Sequence, residues 1–432
     1  MGTTEFARGT LLLVPGIVCF LSSTSVFAET QKLALPQVVE FALQNNGDLK
    51  AFREEKGIRD AGKVRAGLLP NPTLDIEAGT GALTGNRDEN RLSIGIMQEF
   101  FLAGKRNKRL TVAERELEVY TWQLTDRKRV VREEVKNAFY DAILAIKRTD
   151  LADRAIDLNR QLLDVTRERL AAGDIPELEM NLVKVELARS EGSMIDITKA
   201  LNQSQAKLWT LMGLPSDESP AITGNLATEV TVTTSLVDLK QLARNQRPDV
   251  KALEAEKVRG DADIVLAEAE AVPNLTAGLF YSHDRGTDAT GVGEEKVRDN
   301  LLGIRFSLPI PLFDKNQAGV QEAKAKKSSS ESRLLAAVRT VERDVETAYA
   351  SYLNSGKILS LYKTTIIPQL EENLKLTQEA YRLGEVGILA VIQEQKKFIE
   401  VSDGYLTALH GRLAALVKLE SAVATDLTGG TK

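Results

Sequence analysis

Apolar and polar positions along the chain follow two rhythms. In four short stretches the period is two. Leu74, Ile76 and Ala78 alternate with Thr73, Asp75 and Glu77, and Leu92, Ile94 and Ile96 alternate with Ser93 and Gly95. Further on, Leu275, Ala277, Leu279 and Tyr281 share one face, while Leu302, Ile304, Phe306 and Leu308 oppose Gly303, Arg305 and Ser307. This alternation predicts strands with one apolar and one polar face, at about 73–81, 90–99, 275–283 and 300–309. The stretches GTGALTGNRDENR and SHDRGTDATGVGEEKVRDN, polar and glycine-rich, read as the hairpin tips between them.

Elsewhere the rhythm is helical. No glycine or proline interrupts Lys105 to Ala172, enough chain for a helix about 100 Å long. Val131, Val135, Ala138, Ala142 and Ala145 keep the four-three spacing of a coiled-coil seam, and so do Leu151, Ala155, Leu158, Leu162 and Val165. The small seam residues imply close packing, and the phase slip between the two runs implies more than one partner helix. Long helices are expected over residues 105–172, 176–212, 318–383 and 388–427, with a further helix opening each half of the chain.

The halves are copies of one unit. Ala42, Asp48, Lys50, Ala51, Glu55, Lys56, Asp60 and Ala61 recur as Ala243, Asp249, Lys251, Ala252, Glu256, Lys257, Asp261 and Ala262. LPNPT from Leu69 meets VPNLT from Val272, VREEVKNAFY from Val131 is echoed by VERDVETAYA from Val341, and Gly173 matches Gly384. The offset grows mainly between the two strands, where the second copy has the longer connection. Residues 29–232 form the first unit and 233–432 the second.

Residues 1–28 read as a signal peptide: Arg8, the apolar run Leu11 to Leu21, then Val26-Phe27-Ala28 before the cut. Cys19, within the run, lacks the small preceding residue of a lipid-anchor site, since Val18 stands there. The mature chain then has no cysteine and no disulfide. A net charge of −5 over 432 residues gives no footprint for nucleic acid, and no phosphate-binding glycine loop is present. Enzymatic chemistry has little support, because His283 and His410 are the only histidines and neither a catalytic triad nor a metal site can be composed from them. No cofactor is expected.

Four one-sided strands on an exported chain need cover for their apolar face, and no other strand-rich segment can form a second sheet. A membrane supplies that cover if the sheet closes. Four strands are too few, because the smallest barrels use about eight, whereas three chains give about twelve.

This arrangement resembles the TolC-type outer-membrane efflux family over essentially the whole mature chain, and LPIPLFDKNQAG from Leu308 is closest to its cobalt-zinc-cadmium branch. The resemblance implies an α+β membrane protein. Four strands per chain would enter a trimeric 12-stranded outer-membrane β-barrel, and the helices would form a long periplasmic coiled-coil tunnel. It further implies a homotrimer in contact with outer-membrane lipid, a periplasmic membrane-fusion adaptor and an inner-membrane RND transporter. The expected role is the exit duct of a tripartite pump for heavy-metal cations. A drug-efflux or type I secretion channel of the same build, and a soluble periplasmic coiled-coil adaptor, stay open as alternatives.

Three groups of residues follow. Pro70, Phe100, Phe101, Pro273, Pro309, Pro311 and Phe313 are expected at joints between barrel and tunnel. There proline ends the ladder, Leu312 and Phe313 bury against neighbouring elbows, and Asp314 or Asn316 caps the next helix. At the opposite end, Arg169, Leu170, Gly173, Asp174, Arg382, Leu383 and Gly384 lie in the helical turns, which the resemblance makes the adaptor-docking tip and the place where the resting pore closes. Family members carry acidic residues at the narrowest point just past the second turn. This chain has Ala390 and Gln393 there, with Glu394, Glu177 and Glu179 as carboxylates able to rebuild an iris.

Overall fold

The computed structural model describes residues 32–427, apart from 86, 229 and 291–292. The expected signal peptide lies outside the described residues. The first unit comprises α1 (Leu35–Asn45), α2 (Gly47–Gly67), β1 (Thr73–Thr80), β2 (Asn90–Phe100), α3 (Lys105–Ala172) and α4 (Glu177–Met212). The second comprises α5 (Leu236–Gln246), α6 (Pro248–Glu270), β3 (Leu275–Thr290), β4 (Gly293–Ser307), α7 (Gln317–Leu361), α8 (Ile367–Arg382) and α9 (Ile388–Val423).

Four features depart from the sequence expectation. First, the opening helix of each unit is two helices. The chain breaks at Asn46, with φ −52° and ψ 127°, and at the equivalent Arg247, with φ −61° and ψ 122°. At the first break, Asn46 Oδ1 accepts from the Leu49 amide and its Nδ2 donates to the Leu211 carbonyl. At the second, Pro248 biases the residue before it towards extended backbone. Arg247 then turns inward to Asp249, at 2.6 Å, and to Asp344, at 3.1 Å.

Second, the helix expected over 318–383 is interrupted by a π-turn at Tyr362–Ile366, just ahead of Pro368. Proline has no N–H to give the preceding turn and its ring crowds that turn's carbonyl, so the helix widens before it. Third, β3 and β4 pair as far as Thr290 opposite Gly293, well beyond 283 and 300. Both faces of that extension are polar, so the ladder continues after the apolar signal has stopped. The last helix also ends at Val423 rather than 427, with Ala424 in the left-handed region at φ 58°.

The four strands form one antiparallel sheet in the order β1-β2-β3-β4, leaving β1 and β4 as open edges. Below it, α3 packs against α4, α6 and α9, and α7 against α9. The first heptad seam is the core: Val131, Val135, Ala138 and Ala142 are fully buried. Around it lie Val38 and Ala42 of α1, Leu208 and Met212 of α4, and Leu409 and Leu413 of α9. In a second cluster, Leu239 and Ala243 of α5 meet Val341, Val345 and Leu419. Among the described residues no helix is long and apolar enough to cross a membrane.

Candidate functional site: an outward apolar sheet, two joints and a double-turn tip

Register sorts the sheet into two unlike faces. Leu74, Ile96, Leu279 and Ile304 lie in one row across all four strands, and Ile76, Ile94, Tyr281 and Leu302 in another. All eight are exposed, Leu302 at 76%. The opposite face is polar and concave. The Phe280 ring covers Gly303, where a Cβ would collide with it, and the Phe280 Cβ stands close to Gly95. Arg305 of β4 stacks on that ring at 4.9 Å and reaches Asp75 of β1, 4.0 Å away, so the sheet curls towards its polar side. A sheet apolar outside, polar inside and unpaired at both edges is one segment of a barrel wall.

The joints hold this wall on the helices. Gln98 donates to the Pro70 carbonyl at 2.9 Å, and Arg109 stacks on Phe101 at 4.5 Å while pairing with Glu270 at 2.8 Å. Between the units, Lys105 donates to Asn274 Oδ1 at 2.6 Å, and Asn274 Nδ2 donates to Glu99 at 2.6 Å. Lys105 is 2% exposed, so the network locks the start of α3 to the residue after Pro273. Sequence reading missed it. Asn71 and Asn274 repeat in the two units, yet nothing in the sequence announces a partner for them. Phe100, the last residue of β2, is half exposed opposite Leu275.

The second elbow differs from expectation. Pro309 and Pro311 end the β4 ladder, and Leu312 and Phe313 are 70% and 92% exposed in the single chain, free to meet neighbouring elbows. Asn316 occupies the N-cap position of α7 without capping it: its φ is 56° and its side chain donates to the Ala267 carbonyl of α6. Asp314 Oδ1 accepts from the Asn316 amide instead of from the helix. A left-handed backbone turns the Asn316 side chain away from the helix amides, and α6 supplies the better acceptor.

At the far end the two turns share one geometry. Gly173 at φ 81° and Gly384 at φ 83° each end a helix in a Schellman turn, with Asp174 bonded back to Arg169 and Glu385 to Ala380. The turns are clamped together. Arg169 donates to the Tyr381 carbonyl at 2.8 Å and stacks on its ring at 4.8 Å. Tyr381 is 1% exposed, packed among Leu162, Leu163, Val183, Ile388, Val391 and Ile392. Burial pushes the Tyr381 hydroxyl above the ordinary phenol range, partly offset by Thr166.

The structure therefore sets Arg169 against Tyr381 and Gly384, with Leu170, Gly173 and Asp174 in the first turn and Arg382 and Leu383 in the second. Arg169 is spent on Tyr381, while Arg382 and Leu383 stay exposed. Of the aperture residues, Glu177, Ala390 and Gln393 are exposed. Glu179 lies 3.4 Å from the Tyr381 hydroxyl, and half-buried Glu394 lies 3.9 Å from Lys397.

A one-sided wall segment carried on a helical tunnel defines an exported channel subunit. The chain belongs to the outer membrane efflux protein family, whose model matches residues 38–214 and 239–425. It is an outer-membrane protein with a periplasmic tunnel, in a family of ducts rather than enzymes. Similar relatives include the cobalt-zinc-cadmium resistance protein CzcC of Cupriavidus metallidurans, 25% identical over 378 residues that cover 87% of this chain and 86% of that protein. The pyoverdine export outer membrane protein OpmQ of Pseudomonas putida is 23% identical over 90% of this chain and 85% of its own length. A crystal structure of CusC, described as a transmembrane channel, superposes with a TM-score of 0.73 at 17% identity, over 90% of this chain and 91% of that one. This last likeness concerns the fold.

Proposed function

We propose that three copies close a 12-stranded barrel and that the assembly is the exit duct of a tripartite pump. The open-edged sheet with an unbroken outward apolar face carries this reading. β4 of one chain would pair with β1 of the next, removing every edge from the lipid. Exposed Leu312 and Phe313 would then bury against neighbouring elbows at the membrane rim. The chain serves as a passive path with no catalytic step. Work is done by an inner-membrane transporter through a periplasmic adaptor docked on the tip around Arg382, Leu383 and the two turns. The resting pore is held closed there by the clamped helix ends.

For the cargo we propose heavy-metal cations, in line with CzcC and the LPIPLFDKNQAG elbow. The concave face supports this choice. Asp75, Glu77, Asp284 and Asp299 lie on it against Arg91 and Arg305, and three-fold symmetry would multiply that negative balance around the lumen. The likeness to OpmQ favours a second reading, a cargo of the pyoverdine kind.

A deletion strain grown on graded zinc, cobalt, cadmium, copper and silver, with dyes and detergents in parallel, tests the assignment. Metal sensitivity restored by the intact gene is expected. Sensitivity to dyes and detergents alone would keep the duct and sink the metal cargo. A purified chain that stays soluble and monomeric without detergent would sink the duct itself.

A further inference from the structure

Above the apolar rows, the outward face of β3 and β4 changes character. The register places His283 opposite Asn300, then Arg285 opposite Arg298, on the side that carries Tyr281 and Leu302 below. The inward side of the neighbouring rung carries Asp284 opposite Asp299. At these two rungs of β3 and β4, charge is thus sorted by face, basic outward and acidic inward.

Two arginines directly opposite in an antiparallel pair repel. The inward acidic pair is relieved within the chain, because Arg91 reaches Asp284 at 2.8 Å. Among the described residues the outward basic pair has no such relief. Asp88, the nearby carboxylate, is taken by Lys296 at 2.9 Å, and Arg298 has no ion pair among the described residues. Arg285 gives its Nε to His283 Nε2 at 3.2 Å. His283 Nδ1 donates to Asn300 Oδ1 at 2.8 Å, an atom that also accepts from the Tyr281 hydroxyl at 2.7 Å. That chain fixes the stem of Arg285 along the strand and leaves its two terminal nitrogens without an acceptor among the described residues. Both arginines are exposed.

Position identifies the missing anion. Arg285 lies four residues beyond Tyr281, about 13 Å along the strand and about 9 Å in height at the usual barrel tilt. Such a height above the last full apolar row is headgroup depth. The hairpin is at the end away from the tunnel, so this is the outer leaflet. We propose that Arg285 and Arg298 clamp a phosphate group of an outer-leaflet lipid. Guanidinium groups suit this role because their paired N–H donors match phosphate oxygens bidentately. The site rests on the lipid-facing reading of the sheet and adds an anchor independent of what the duct carries.

Native mass spectrometry of the full-length detergent-solubilised protein, titrated with bis-phosphorylated lipid A, dephosphorylated lipid A and inorganic phosphate, tests the clamp. The wild type should retain the bis-phosphorylated lipid alone. R285Q/R298Q should weaken that retention about 25-fold, taking about five-fold per basic residue at a lipid surface. R91Q makes the same change of charge per residue on the inward face and should stay within about two-fold of wild type. Retention by R285Q/R298Q equal to wild type would overturn the clamp. So would equal retention of dephosphorylated lipid, and tight binding of inorganic phosphate would assign the site to a free ion instead. Wild-type protein that forms membrane channels but retains no phosphorylated lipid would also refute the clamp while leaving the duct standing.

Discussion

Arg169→Ala should open the tip. The side chain ties the end of α3 to the end of α8 through two contacts, both at Tyr381. Its hydrogen bond to the Tyr381 carbonyl is 2.8 Å long. A bond from a charged donor contributes about 1.5–3 kcal/mol, and partial exposure of Arg169 places it near 1 kcal/mol. The stacking at 4.8 Å adds about 0.5–1 kcal/mol. Together the clamp holds about 1.5–2 kcal/mol per chain, so its loss shifts a local opening equilibrium by about 10- to 30-fold. Tyr381→Phe is the matching control. It keeps the carbonyl and the ring, and removes only hydroxyl contacts of 3.4 Å to Thr166 and Glu179, which are too long to contribute much. Single-channel recording in planar bilayers, with uptake of a bulky antibiotic that intact cells exclude, reads both variants. Arg169→Ala should raise the open fraction and Tyr381→Phe should leave it near wild type. Equal behaviour of the two, or no change with Arg169→Ala, would refute the clamp as a closing device.

Other outcomes follow from the fold. At Gly278 a Cβ would stand 2.1 Å from the Ile96 carbonyl oxygen and 2.8 Å from the Met97 Cα, so Gly278→Val should prevent β2–β3 pairing. It should cost more than about 3 kcal/mol, read as loss of protein from the outer-membrane fraction. Arg247→Ala leaves Asp249 and Asp344 without their cation and should cost about 2–4 kcal/mol, measured as a lowered thermal midpoint in detergent. Lys105→Met strips the Asn274 bridge of its donor and should cost about 1–3 kcal/mol in the same assay.

Acid should weaken the helical region. The hydrogen bond from His410 holds Asp141 below the usual carboxylate range. At Asp249, burial pushes upward but Arg247 outweighs it, and at Asp426 Lys136 does the same. Depressed folded values make this stabilisation complete above the unfolded value of about 4, and lost as pH falls through the folded values. The thermal midpoint should therefore be nearly flat from about pH 5 to 7 and drop below about pH 4. A smaller drop is expected in Asp249→Asn. A midpoint that rises on acidification would contradict the assignment.

Much of this was readable in the sequence, and the exceptions share a cause. Period-two alternation located the strands because one face meets lipid, and it failed from His283 to Asn300, where both faces are polar and pairing is carried by backbone bonds alone. The heptads located α3 because Val131, Val135, Ala138 and Ala142 are all core. Gly173 and Gly384 announced the turns. By contrast, the Arg169–Tyr381 clamp and the Glu99–Asn274–Lys105 lock join residues far apart in sequence. Each uses a residue type common on helix surfaces, so no periodicity marks it. The break at Asn46 leaves the apolar pattern uninterrupted and so stays hidden, whereas the one at Arg247 is announced only by Pro248.

The differences between the two units bear on how the duct works. Both copies keep the same broken opening helix and the same Schellman turn, so the duplicated scaffold is a shared solution to packing. They diverge where the first copy has an uninterrupted α3 and the second has a π-turn before Pro368. Tyr362, in that turn, packs against α9 so tightly that a Cβ at Gly404 would meet its hydroxyl at 2.7 Å. A helix widened there bends more readily than α3, because a π-turn loosens the ladder without breaking the chain of contacts. Movement of the tip is therefore expected in α8 and α9, with α3 and α4 as the fixed frame. The clamp at Arg169 joins the moving part to that frame. Gly404→Leu should displace Tyr362 and raise the open fraction even with Arg169 intact, whereas a leucine at Gly192, on α4 with open space around it, should leave the current unchanged. Opening by both variants alike would locate the hinge elsewhere.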